Sequence, residues 1–263
     1  MSTVAASGSR FTPASNQWLT KKWALPVGTT KIKFRSNSGF GNDFFLDSVR
    51  ILGGSAFTQV NIKVAPEGFY NGTTLNMKDI VNVYLRNAVS PFAKVDSSKV
   101  ILDNLTLTAP AVFMNAASGT YYFQIEHRNS IETWSKAGGE SFTRGVFMSY
   151  DFTTAQSQTY GSNAVLNYSK YLMFSGDVNK DGVIDASDMS DVDNDVTNSV
   201  FGYNGTDLNG DDATDASDLS IVDNNVLNSV TKVTPGTSPS DIMNLKSGMK
   251  IRNNEYIKKF SGK

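Results

Sequence analysis

Short runs of alternating apolar and polar residues dominate the first two thirds of the chain, and a spacing of three and four replaces them near its end. Val60, Ile62 and Val64 fall on one side of an extended chain, as do Val81, Val83 and Leu85. Tyr121, Phe123, Ile125 and His127 form a further set, and Val146, Met148, Tyr150 and Phe152 another, with Gly, Asn and Ser clusters between. Period-two patterning of this kind predicts half-buried strands. About seven of them between 57 and 160 suggest a small β-sandwich. Earlier, 18–25, 30–35 and 43–52 read as three more strands, separated by turn signals at 26–28 and 37–42. Three strands leave two sheet edges open, so that stretch is incomplete as a domain.

The helical spacing comes in two copies. Met189, Val192, Val196 and Val200 form one apolar stripe, and Leu219, Val222, Val226 and Val230 form the other. The sequences that carry them, GDVNKDGVIDASDMSDVDNDVTNSV and TDLNGDDATDASDLSIVDNNVLNSV, lie 30 positions apart, and 15 of the 24 residues at 177–200 recur at 207–230. Each stripe alone would be exposed, so the copies are expected to pack on each other about a two-fold axis, with no helix ahead of either loop.

Charge sharpens this picture. The net charge of −1 over 263 residues hides a segment, 176–230, with thirteen Asp and one Lys. Acidic charge is concentrated where divalent cations would need it, and a nucleic-acid partner is not implied. Calcium takes six to eight oxygens, and a twelve-residue loop supplies them from its first, third, fifth, ninth and twelfth side chains and its seventh carbonyl. In the first copy these are Asp177, Asn179, Asp181, the carbonyl of Val183, Asp185 and Asp188. In the second they are Asp207, Asn209, Asp211, the carbonyl of Ala213, Asp215 and Asp218. Two calcium ions are expected. The first site fits better, because Gly182 stands at the sharply turned sixth place where the second copy has Asp212. Both copies end on Asp rather than the usual Glu, so each helix must come closer to the metal.

Two tandem D-x-N-x-D-x-x-x-x-x-x-D loops, each followed by a single helix, resemble a type I dockerin at the C-terminal end of a secreted bacterial multimodular β-rich protein. That resemblance implies two bound calcium ions and docking onto a cohesin-like protein, often in polysaccharide degradation. It places the partner contacts at the tenth and eleventh loop positions, here Ala186, Ser187, Ala216 and Ser217. Structural clasping of the adjacent β-domain is an equally open reading. The W-x-L-P-x-G-T-T-K-I-K-F-R pattern from Trp23 onward resembles the closing strands of MAM-like jelly rolls, and GTYYFQIEHRN resembles transthyretin-like spacer sandwiches.

The expected organisation is mainly β. It has a jelly-roll fragment at 1–54, a β-sandwich at 55–173, a small α-helical dockerin-like calcium module at 174–232, and a linker with a basic tail at 233–263. The chain has no cysteine, which excludes thiolate chemistry, and no apolar run long enough to span a membrane. An extracellular or cell-surface setting within a longer protein is expected. His127, the one histidine, reads as a hydrogen-bonded core residue, since no nucleophile elbow accompanies it. The protein is expected not to be an enzyme; the alternatives are the targeting end of a larger hydrolase and a carbohydrate-binding sandwich.

Overall fold

The computed structural model describes residues 57–238 and 240–244, with Trp23 and Ile32 alone ahead of them. The jelly-roll expectation for 1–54 falls outside those residues. The chain divides into two units, Met1–Ala56 and Phe57–Lys263, and every described strand and helix belongs to the second.

That second unit is chiefly β. Ten strands run in chain order: β1 (Thr58–Lys63), β2 (Asp79–Asn87), β3 (Lys94–Leu102), β4 (Thr108–Phe113), β5 (Gly119–His127), β6 (Ser130–Trp134), β7 (Glu140–Phe142), β8 (Met148–Asp151), β9 (Val165–Asn167) and β10 (Lys170–Leu172). One sheet has the order β4-β1-β8, with β1 and β8 parallel, and the other β3-β2-β5-β6, with β7 also on β5. β9 and β10 form a separate hairpin. Eight of these lie within 57–160, where the patterning suggested about seven, and β9 and β10 follow; β7, β9 and β10, at three residues each, are too short for a visible alternation.

The alternating sets meet between the two sheets. Val60 and Ile62 face Val81, Val83, Leu85, Phe123 and Ile125, and Phe113, Tyr150 and Phe152 complete the core, all buried. Val146 does not join its set. It precedes β8 in a turn closed by its own amide to the Thr143 carbonyl, and is 54% exposed.

Besides a helical stretch at 240–244, two twelve-residue helices follow, α1 (Ala186–Thr197) and α2 (Ala216–Leu227). Each starts at an aspartate whose side chain accepts from the amide two residues on, and each is completed by a reciprocal capping box. Such a start satisfies amides that the first helical turn leaves free. A second core joins the helices to the sandwich through Ile131, Phe174, Ile184, Val192, Leu208, Val222 and Val230. Val200 and Val230 lie beyond the helices they were expected to extend. Ser199 and Ser229 take φ +51, and the valine amides reach back to the Asp195 and Asn225 carbonyls. The chain is thereby free to cross to the other copy. Among the described residues no helix is long and apolar enough to cross a membrane.

Candidate metal centre and its junction with the sandwich

Each loop closes on its twelfth residue. Asp188 is fully buried; its Oδ1 accepts from the amides of Val178 (2.9 Å) and Asn179 (3.2 Å), and its Oδ2 from that of Asp185 (3.0 Å). Asp218 does the same with Leu208 (2.7 Å), Asn209 (3.0 Å) and Asp215 (2.9 Å). One short carboxylate thus ties the loop entrance, the ninth residue and the helix together. Asn179 and Asp181 accept from the amides two residues on, as do Asn209 and Asp211. The sharp turn at the sixth place is taken by Gly182 at φ +91 and by Asp212 at φ +69.

The two copies interlock reciprocally. Ile184 donates to the Val230 carbonyl (2.8 Å) and Thr214 to that of Val200 (2.9 Å). Lys232 donates to Gly182 (2.8 Å) and Gly202 to Asp212 (2.7 Å). Segments beyond each helix therefore pair with the opposite loop, so neither loop can open without disturbing the other.

Burial pushes the carboxyls of Asp177, Asp188 and Asp218 above the usual range, against the Lys180 charge at Asp177 and the backbone amides that pull all three down. Asp185 and Asp215 move the other way, because the Ser187 and Ser217 hydroxyls and amides bond to their ionised forms. Chemically, the donor set suits a hard cation: carboxylates, an amide oxygen and a carbonyl. Among the described residues, however, no group of three or more His, Cys, Asp and Glu comes together closely enough to hold a metal on side chains of those types alone. A calcium ion would draw also on Asn179 or Asn209 and on the carbonyl of Val183 or Ala213.

Ala186, Ser187, Ala216 and Ser217 sit exposed in the first turns of the helices. Their hydroxyls are engaged locally: Ser187 Oγ donates to Asp185 and accepts from Asn179, and Ser217 Oγ repeats this with Asp215 and Asn209.

The junction with the sandwich is made by residues the patterning did not single out for it. The turn between β5 and β6 enters between the loops. Asn129 accepts from Gly176 on its carbonyl (2.7 Å) and donates its side-chain amide to the Asp207 carbonyl (2.7 Å). Arg128 donates to Asp79 (2.7 Å) and reaches Asp207 Oδ2 (3.3 Å). Lys180 Nζ donates to the Ser130 carbonyl (2.6 Å), and Asn76 to that of Asn209 (2.9 Å). On α2, Asn225 donates to Ser175 (2.7 Å) and to Glu67 (2.8 Å). Arg128 was visible in the sequence only as a neighbour of His127; nothing local marks its side chain as reaching Asp207.

His127 is buried with both ring nitrogens bonded, Nε2 to Asp79 Oδ2 (3.0 Å) and Nδ1 to Ser130 Oγ (3.0 Å). This brings a serine, a histidine and an aspartate into one chain of hydrogen bonds. All three are buried, which leaves Ser130 Oγ no open side from which a substrate could approach. Burial lowers the His127 pKa, with the Asp79 hydrogen bond opposing. In its neutral form the ring can donate from Nε2 to Asp79 and accept the Ser130 hydroxyl at Nδ1.

No family model and no curated protein matches the chain. Similarity is found to two solved mutants of a "type II Cohesin-X-Dockerin complex" from Acetivibrio cellulolyticus. One shares 19% identity over 64% of this chain and 94% of that one, at a TM-score of 0.41. The other shares 17% over 68% and 97%, at 0.37. Scores this low carry no functional argument. The fold does correct the expected kinship with type I dockerins. The described chain is chiefly a β-structure in which helices are few, rather than a helical module. The expected cohesin-like partner rested on that kinship and loses its basis with it.

Proposed function

We propose that this chain is a non-catalytic, calcium-stabilised docking unit of an extracellular or cell-surface protein. Two calcium ions, held by 177–188 and 207–218, fix the repeat against the sandwich, and the joined body offers its outer surface to a protein partner. The single observation that carries this reading is the turn between β5 and β6, which through Asn129 holds both Gly176, the residue just ahead of the first loop, and Asp207, the first residue of the second. Buried, mutually repelling carboxylates in such loops are relieved by a cation, so metal binding and ordering of the repeat become one equilibrium. Calorimetric titration of the full chain with calcium should give about two sites, the oxygen-ligand chemistry of each loop supplying one. A flat titration would falsify the metal assignment. Capture of a protein partner that is released by chelator would support docking, and binding indifferent to chelator would remove calcium from the docking role.

A carbohydrate-binding sandwich is the second reading. Tyr84, Arg86, Glu126 and Glu132 are partly exposed on the outer face of the β2-β5-β6 sheet, beside the Trp134 ring. Aromatic rings with flanking polar groups suit sugar stacking. Arg86 and Lys94 already lie over the Tyr84 ring, at 5.7 and 5.1 Å, and a sugar would have to displace them. Glycan binding lost in Tyr84→Ala but indifferent to calcium would favour this reading.

A further inference from the structure

The two loops differ at their fourth position, and the sandwich responds to the difference. In the first loop Lys180 stands there, with Nζ 3.7 Å from Asp177 Oδ2 and a side chain 37% exposed. In the second loop the residue is Gly210, at φ +75, and a side chain would be crowded: a Cβ would meet Met77 and the Phe69 ring at 3.0 Å. Loop 2 therefore docks where loop 1 carries its lysine. Its first carboxylate receives a cation from outside, Arg128 of the sandwich, whose Nη2 lies 3.3 Å from Asp207 Oδ2.

The two cations are held differently. Lys180 is anchored at its tip by one carbonyl and can swing towards solvent on its long stem. Arg128 cannot. Its Nε is fixed on the buried Asp79, its guanidinium lies over Tyr203 (4.5 Å) and Phe69 (5.2 Å), and its side chain is 12% exposed. Its Nη1 is buried without a partner, so the group is held in place by its surroundings rather than by a full set of bonds. The other oxygen of Asp207 is occupied by the amides of Gly210 (2.7 Å) and Asp211 (3.2 Å), which leaves Oδ2 as the atom a metal would need.

We propose that Arg128 is a fixed cation placed against the second loop by the sandwich, and that it sets that loop's calcium affinity below that of the first. This rests on the calcium reading of the two loops. A divalent ion arriving at Oδ2 meets a positive charge that cannot withdraw, whereas at Asp177 the lysine can move aside. Asp79 moderates the effect, because its carboxylate partly neutralises the guanidinium.

The test is calcium titration of the full chain at constant ionic strength, with the Gly182 and Gly210 amide resonances reporting each loop. Arg128→Gln should tighten the second loop by roughly tenfold and leave the first unchanged. Asp79→Asn should weaken the second loop, since it leaves the arginine uncompensated. The double variant carries neither charge, so it keeps the experiment decisive if Arg128→Gln alone does not fold; it too should bind more tightly than the parent. If Arg128 served only to hold the junction together, its removal would weaken the second loop, and that result overturns the proposal, as does an unchanged affinity in both variants. Absence of any calcium response in the parent chain would instead sink the calcium reading itself.

Discussion

Asp79 is the most heavily engaged side chain of the junction. Oδ1 accepts from the Tyr203 hydroxyl (2.6 Å), and Oδ2 from His127 and Arg128. Burial works to raise its pKa, but the His127 hydrogen bond, the charge of Arg128 and the Tyr203 hydroxyl outweigh it and hold the carboxyl well below its usual range. A depressed carboxylate contributes stability that is complete above its unfolded value, near 4, and is lost as pH falls through the folded one. Asp79→Ala should cost about 3–5 kcal/mol in urea unfolding at pH 7, because Arg128, His127 and Tyr203 all lose the buried carboxylate they share. Glu67 has the opposite sign. Burial raises its pKa above 4.5, against hydrogen bonds from Asn225 and the Ser175 amide. Its contribution is therefore complete below the unfolded value and is lost as pH rises through the raised one. Glu67→Gln, which keeps an acceptor for both donors, should be more stable than the parent at pH 7 and equal to it near pH 4. Equal stability at both pH values would refute this account of Glu67.

At the scale of elements, α2 and the second loop are set by a close approach that admits no side chain. A Cβ on Gly68 would lie 2.1 Å from the Leu208 carbonyl oxygen, a backbone atom that cannot turn aside. Gly68→Ala should shift the loop away from the sandwich and cost about 1–3 kcal/mol, the range for overpacking. Loss of the Asn225 hydrogen bonds should accompany it, seen as faster amide exchange in α2 but not in β2. The helices themselves were legible in sequence, since Met189, Val192 and Val196 carry the spacing. Where they end was not, because Val200 and Val230 continue the spacing while a serine at positive φ turns each away. Strand faces were legible for the same reason as the helices: Val81, Val83 and Leu85 record burial on one side. The junction was not. Asn225 sits beside Asn224 in what reads as a wet stretch, and its 2% exposure depends on Glu67 and Ser175, 158 and 50 positions away. A local pattern holds no trace of contacts at that range.

For the molecule as a whole, the repeat and the sandwich complete each other. β6 ends its sheet, and an open edge invites pairing with other chains. Here the approach to the first loop covers part of that edge: Ile131 donates to Phe174 (2.9 Å), and Ser130 and Ser175 form a bridge. Ile131 is also the sandwich's contribution to the helical core. Unfolding of the repeat would therefore expose both an edge and an apolar side chain of β6, which argues for one cooperative transition rather than two. Calcium binding should raise that single transition. At a hundredfold excess over Kd each filled loop contributes about 2.7 kcal/mol, or roughly 5–10 °C for a unit of this size. Scanning calorimetry with calcium and with chelator provides the measurement. A single peak that moves as a whole is expected, together with aggregation in a chain cut after Met173. Two separate peaks, of which only the smaller responds to calcium, would mean that the contacts of Arg128, Asn129 and Asn225 do not couple the two cores.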